Sequence, residues 1–403
     1  MALSAMALVT SCSNDEVTEI SDSDAIKYDL GIGKITRAAD VYCNANKFKG
    51  FQVWANLGTA AYIAGDSITS TDGSTWTDAS GTRYWPNTGN LDFYAVVNGG
   101  ALNATTRALP AFTVAENVAD QLDLCYAVKT GQTKGTTGTA SSKSVSLNFR
   151  HALSQIVFKA WNKNANLYVE IDSVALYNVA NSSTFTLPSV NTDDLIEDHP
   201  SSTSPTTIAG QGTWATPTGN TGYKVGFATK EVAYATTSVN LTDNTNASHS
   251  GTNVYGNAML LMPQGPTTAW TTSSGLTGVN GVGYTPNAPD GTFILVKCKI
   301  WNVSGDNVDK TNDVVLYENT NHTSRWAAIP ASFTWQQGRK YIYTLIFDKG
   351  NGGIDPDPDD PKPVLVKIDY TVTVDDFVKG TDESVDMDKD ITTSAQGGNS
   401  NNE

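Results

Sequence analysis

Short runs of alternating apolar and polar residues recur along this chain, and they constrain its fold more than any other feature. Glycine, asparagine, aspartate and proline separate the runs, and no segment keeps a helical apolar period over three or more turns. Clear runs lie at residues 51–55, 91–96, 144–149, 155–161, 168–176, 292–301 and 341–347. Many short strands joined by turn residues predict an all-β protein built from β-sandwiches.

The length of 403 residues favours two sandwich domains over one. We place the boundary where the polar stretch 162–166 interrupts two strands, so the predicted domains are 38–162 and 163–349. Stretches rich in serine, threonine and asparagine at 130–143, 190–220 and 236–252 are expected to be surface loops.

The charge of the chain excludes some classes of partner. A net charge of −15 would repel nucleic acid and anionic membranes. Once Cys12 is set aside, an odd set of three cysteines remains, and their spacing matches no zinc or redox motif. We expect buried thiols, isolated histidines, no metal and no cofactor.

The N-terminus has the features of a lipoprotein export signal. A short apolar stretch at 2–9 ends in Val9-Thr10-Ser11-Cys12, with small residues directly before the cysteine. This pattern predicts a signal peptide at 1–11 and acyl chains on Cys12, which would hold the protein to a bilayer. The apolar stretch is too short to span a membrane.

A second processing site is predicted further on. An acidic patch follows Cys12, and Ile26, Tyr28 and Leu30 then alternate as in a strand. Arg37 lies beyond that strand in a polar segment, followed by Ala38 and Ala39. A trypsin-like protease could cut between Arg37 and Ala38, which would release a lipidated propeptide of residues 12–37.

The C-terminal region begins with a linker at 350–363, where four prolines stand among aspartates. Such a segment cannot pair in a sheet, so we expect it to be extended and solvated, with a reach of about 40 Å. Residues 381–403 are polar and are expected to be disordered.

Between linker and tail lies a predicted strand, 364–380, with very regular alternation. Its apolar face consists of Val364, Val366, Ile368, Tyr370, Val372 and Val374. Burying six such side chains is worth on the order of 10–15 kcal/mol as an upper bound. Because one strand is not stable alone, it must join a sheet, either in its own domain or in another molecule.

Several stretches together resemble the fimbrillin family, the subunits of type V pili in Bacteroidetes. They are YWP at 84–86, LDFYA at 91–95, DLCYA at 123–127, LNFRHALSQI at 147–156, LLMPQ at 260–264 and WQQGRKYIY at 335–343. The acidic patch after Cys12 is also similar to the surface-export signal of lipoproteins from that lineage.

The resemblance implies two tandem transthyretin-like β-sandwich domains with a C-terminal extension strand. It further implies a precursor anchored to the outer membrane, and an arginine-specific protease that removes the first strand after Arg37. The donor strand of the next subunit, Val364 to Val374 here, would then fill the vacated groove. The partners of the protein would be copies of itself or related pilins. The protein would lie at the cell surface first and in the fimbrium after processing.

The sequence also bears on catalytic and calcium-binding roles. The resemblance suggests that His151 begins a strand and is satisfied by backbone atoms, and no catalytic pair of carboxylates can be singled out. Asp386, Asp388 and Asp390 lack the glycine and closing glutamate of a calcium loop. We therefore expect no enzyme. The alternative is a tip adhesin or a non-polymerising surface lipoprotein that binds glycans or host proteins.

Overall fold

The computed structural model describes residues 24–30, 50–71, 75–134, 144–192, 211–242, 257–270, 279–280, 283–284, 291–304, 308–348, 355 and 367–376. Within these ranges almost every regular element is a strand. A single turn of 3₁₀ helix lies at Val118–Asp120, and its first turn is capped by the side chain of Asn117.

The first half of the described chain contains twelve strands. They are β1 Lys27–Leu30, β2 Gly50–Leu57, β3 Ala60–Thr69, β4 Thr77–Asp78, β5 Leu91–Val97, β6 Ala108–Thr113, β7 Cys125–Gln132, β8 Ser144–Leu147, β9 Arg150–His151, β10 Ser154–Asn162, β11 Leu167–Val179 and β12 Ser182–Thr186.

Eleven more strands follow in the described part of the second half. They are β13 Thr213–Trp214, β14 Thr221–Val232, β15 Val239–Asn240, β16 Met259–Leu261, β17 Val279–Asn280, β18 Gly283–Tyr284, β19 Phe293–Asn302, β20 Val314–Tyr317, β21 Arg325–Pro330, β22 Arg339–Asp348 and β23 Lys367–Asp376.

The N-terminal part is built on a six-stranded sheet in the order β4-β3-β2-β5-β7-β9. The parallel pair β1-β8 contributes to the same hydrophobic core, which includes Tyr28, Phe51, Phe93 and Phe149. Apolar residues at alternate positions supply this core, since successive side chains of a strand point to opposite faces.

The C-terminal part contains two five-stranded sheets. One has the order β15-β10-β22-β23, with β16 also on β10, and the other has the order β14-β11-β19-β20, with β21 also on β19. Buried residues of both sheets, including Phe158, Ile171, Ile294 and Leu345, join one hydrophobic core. This arrangement is the layered packing of a β-sandwich.

The predicted all-β sandwich class is confirmed, whereas the division into two domains stays a prediction. One strand pairs differently from our expectation. β10, which we assigned to the first domain, runs parallel to β22 with eight residues in register, from Gln155 opposite Lys340 to Asn162 opposite Phe347. The core of the second part also includes Trp54, Tyr94 and Tyr126 from the first.

Candidate functional site: the first and last strands

Strand β1 and the residues directly before it are hydrogen-bonded to two different segments. Strand β1 pairs in parallel with β8, with Tyr28 opposite Val145 and Leu30 opposite Leu147. Directly before β1, the amide of Ile26 donates to the carbonyl of Arg83 over 2.7 Å. β1 therefore fills a slot between two other segments.

The side chains of residues 26–30 alternate between core and solvent. Ile26 and Tyr28 are only 7 % and 6 % exposed, whereas Lys27 faces outward. The Tyr28 ring makes edge-to-face contacts with Phe51 and Phe93, with centroid distances of 5.8 and 6.3 Å. The slot is therefore an aromatic groove whose floor is covered by Tyr28.

Charged groups surround the hydroxyl end of this groove. Arg83 donates to both carboxylate oxygens of Asp66, over 2.5 and 3.1 Å. The Tyr28 hydroxyl is buried and has no hydrogen-bond partner among the described residues. Burial, followed by the charges of Asp78 and Asp66, raises the pKa of Tyr28 far above its usual value. Tyr28 is thus held as a neutral phenol.

Strand β23 lies at the edge of a sheet in its own chain. It pairs antiparallel with β22 over its full length, from Lys367 opposite Asp348 to Asp376 opposite Arg339. The sequence left open whether this strand joins its own sheet or that of another molecule, and here it joins its own. This pairing arises because β22 offers an open sheet edge to which an alternating strand can add.

The apolar face of β23 is only partly covered there. Ile368 is 2 % exposed, but Tyr370 and Val374 are half-buried and Val372 is 40 % exposed. The Tyr370 ring lies 6.0 Å from that of Tyr343. The strand is thus less deeply buried in its own sheet than β1 is in the groove.

Asp355 corrects our expectation of a fully solvated linker. Its carboxylate accepts a 2.6 Å hydrogen bond from Nε of Arg325 on β21, and the two side chains are 2 % and 5 % exposed. A buried carboxylate needs such a partner, and the arginine provides it. Val364 lies nine positions after Asp355, so a fully extended chain between these two residues would span about 28 Å.

Some predicted site residues lie outside the described residues. These are Cys12, Arg37, Ala38, Val364 and Val366, and their roles stay predictions. The predicted tail 381–403 also falls outside the described ranges, as does the Asp386, Asp388 and Asp390 group. In the part of the chain that the structure describes, no helix has the length and apolar character to cross a membrane.

A buried polar cluster that sequence reasoning missed lies near the strands β7 and β9. Nδ1 of His151 is 2.7 Å from Oδ2 of Asp123 and 3.6 Å from Sγ of Cys125. The expectations that His151 is satisfied by backbone and that the histidines lie apart from the cysteines were therefore wrong. A polar residue within a buried strand requires a partner, and this was the available signal.

The geometry of this cluster fits a structural role. In a nucleophile–histidine–acid relay the thiol and the carboxylate contact different ring nitrogens, but here both contact Nδ1. The three residues could offer ligand atoms to zinc. However, the 2.7 Å hydrogen bond already joins two of those atoms, Nδ1 of His151 and Oδ2 of Asp123. All three side chains are buried, which leaves a substrate no access.

We compared the chain with solved structures, with curated protein sequences and with models of protein families. Solved structures similar to this chain include a fimbrial protein of Bacteroides vulgatus, at 14 % identity, a TM-score of 0.44 and coverage of 87 % of this chain and 98 % of that one. A candidate cell adhesion protein of Bacteroides uniformis has 14 % identity, a TM-score of 0.39 and coverage of 88 % and 100 %.

Similarities of that size carry no functional argument, and no curated protein sequence matches this chain. The family comparison is stronger. The model of the family described as fimbrillin-like matches residues 36–374, which is most of the chain. This chain therefore belongs to the fimbrillin-like family.

Proposed function

We propose that the chain is a structural subunit of an adhesive pilus at the cell surface, and that it polymerises by strand exchange. The observation that carries this proposal is the position of β1. It precedes the predicted cleavage site at Arg37 and fills an aromatic groove with Ile26 and Tyr28. Membership of the fimbrillin-like family supports the same function.

Loss of β1 would expose apolar surface of the groove to water, which is unfavourable. Each fully buried apolar side chain removed from the groove corresponds to about 1.5–3 kcal/mol of lost burial. The same cut would expose Phe51 and Phe93 and leave the edge of β8 without its partner strand. A processed subunit thus requires a replacement strand.

Strand β23 has the properties of that replacement. It is an edge strand, so its release breaks one ladder, that with β22, and leaves the rest of its sheet paired. In the groove of another subunit it would regain a ladder with β8. A strand that adds to an exposed edge of a partner is a known mode of recognition.

The finer steps belong to the same proposal. The precursor is exported to the outer membrane, where acyl chains on Cys12 anchor it. An arginine-specific protease then cuts between Arg37 and Ala38. Adhesion between subunits passes to the last strand, and the chain has no catalytic role.

The test is cleavage of the purified precursor by a trypsin-like protease. We expect a cut after Arg37 followed by oligomers that persist in detergent. An Arg37→Gln variant should remain monomeric, and so should a variant truncated before Val364 that still folds, as judged by circular dichroism. Detergent-resistant oligomers of the truncated variant would contradict the proposal.

The competing function is a surface protein that binds a glycan or host protein and never polymerises. The closed position of β23 on its own β22 favours this reading, because such a chain needs no partner strand. A cleaved protein that stays monomeric at high concentration and binds to a glycan array would support it.

A further inference from the structure

The first and last strands share one pattern of residues. Residues 26–32 read IKYDLGI and residues 368–374 read IDYTVTV. Each has isoleucine first, tyrosine third, and leucine or valine fifth. We propose that β23 of a second copy replaces β1 residue for residue, with Tyr370 in the position of Tyr28. This inference rests on the proposed function and specifies its partner and register.

The groove favours this register because its positions, now occupied by Ile26, Tyr28 and Leu30, accept side chains of different sizes. The Tyr28 site lies between the edges of Phe51 and Phe93 and accepts a complete aromatic ring. A shift of the donor by two residues in one direction would place Ile368 at the Tyr28 position and Tyr370 at that of Leu30. A shift in the other direction would place Val372 there and Tyr370 at the position of Ile26. An aliphatic side chain would leave part of the aromatic site empty, which is unfavourable.

The outward positions agree with the same alignment. Lys27 and Asp29 of β1 are exposed, and their counterparts Asp369 and Thr371 are polar and exposed at their own sheet edge. The match begins at Ile26, since the preceding pair is the buried Ala25 and the charged Lys367. In this alignment the donor runs parallel to β8, as β1 does.

The exchange improves the burial of the donor strand. At its own edge Tyr370 is half-buried and Val372 is 40 % exposed. In the groove the matching Tyr28 is 6 % exposed, and Leu30 is half-buried. Tyr370 would therefore remove more apolar surface from water in the groove than at its own sheet edge, which favours the move once β1 has gone.

The alignment predicts which residues face each other between subunits. Asp29 lies opposite Ser146 in the β1-β8 pair, so Thr371 of one copy should lie opposite Ser146 of another. Both residues are exposed, so cysteines there would not disturb a core. Cys43 is changed to serine in all variants, while Cys125 and Cys298 are buried.

The experiment mixes two processed variants, one with Ser146→Cys and one with Thr371→Cys, under mild oxidation. We expect a disulfide-linked dimer between the two variants. A matched control with Thr373→Cys in place of Thr371→Cys should give little of it, because Thr373 lies two residues further along the strand. A precursor with Asp29→Cys and Ser146→Cys provides the positive control within one chain.

The outcomes separate this inference from the proposed function. Polymers that form while Thr373→Cys cross-links better than Thr371→Cys would overturn the register and leave polymerisation intact. The absence of any polymer after cleavage would overturn the proposed function, and the register with it.

A second measurement uses a synthetic peptide of residues 364–380 and processed protein truncated before Val364. Tyr370→Ala in the peptide should weaken binding on the order of 100-fold, the loss expected for a buried aromatic ring. Thr371→Ala should change binding little. Equal affinity of the two variant peptides would refute the assignment of Tyr370 to the aromatic site.

Discussion

The difference in burial between Tyr28 and Tyr370 predicts unequal effects of the same truncation in the uncleaved precursor. Tyr28 is 6 % exposed and contacts two phenylalanine rings, so Tyr28→Ala should cost about 3–5 kcal/mol of stability. Tyr370 is half-buried at a sheet edge and contacts Tyr343, so Tyr370→Ala should cost roughly 1–2 kcal/mol.

Urea unfolding followed by tryptophan fluorescence measures both effects as differences in the free energy of unfolding. Trp85 reports on the groove because its ring lies 5.9 Å from that of Phe93. Lys27→Ala and Asp369→Ala are matched controls on the exposed sides of the two strands. If Tyr370→Ala destabilises the precursor as much as Tyr28→Ala does, the donor strand gains nothing by exchange and our reasoning is refuted.

Three further predictions concern the linker, the groove and a buried thiol. Asp355→Asn breaks a buried ion pair with Arg325, so amide exchange of residues 367–376 should accelerate, whereas Asp357→Asn should not change it; equal protection in both variants would contradict the anchor. Burial raises the pKa of Tyr28 above its unfolded value near 10, so its contribution to stability is present below about pH 10 and is lost as the pH rises. Tyr28→Phe should therefore flatten the loss of stability in alkaline urea titrations, and an unchanged slope would argue against it. Burial also raises the pKa of the Cys298 thiol, so a thiol reagent should label it only after unfolding, and fast labelling of the native protein would contradict its burial.

Local alternation predicted the strands well but not their partners. The runs at 155–161 and 341–347 correspond to β10 and β22, yet their parallel pairing joins segments far apart in the sequence. Periodicity reports which face of a strand is buried and contains no information on the neighbour that covers it. For this reason β10 was assigned to the first sandwich although it pairs with strands of the second part.

The candidate site was predicted to a similar extent. The alternation of Ile26 and Tyr28 correctly indicated a buried strand, and that of Ile368 and Tyr370 indicated a strand that must join a sheet. The anchoring of Asp355 could not be predicted, because an aspartate among prolines looks solvated unless its arginine partner is known. That partner lies 30 residues earlier in the chain.

The pairing of β23 with β22 of its own chain determines the order of events in the proposed assembly. In the precursor β1 covers the edge of β8 and β23 covers the edge of β22. Neither of these two edges is then open to a second copy. In the proposed assembly, cleavage after Arg37 would change this balance by allowing β1 to leave, while β23 could still return to β22. We expect the donor to move only because the groove would cover Tyr370 and Val372 better than the edge of β22 does. A strand that is paired but only partly buried, as β23 is, is thus well suited to act as a donor. A fully buried strand could not leave its sheet, and an unpaired strand would aggregate before cleavage.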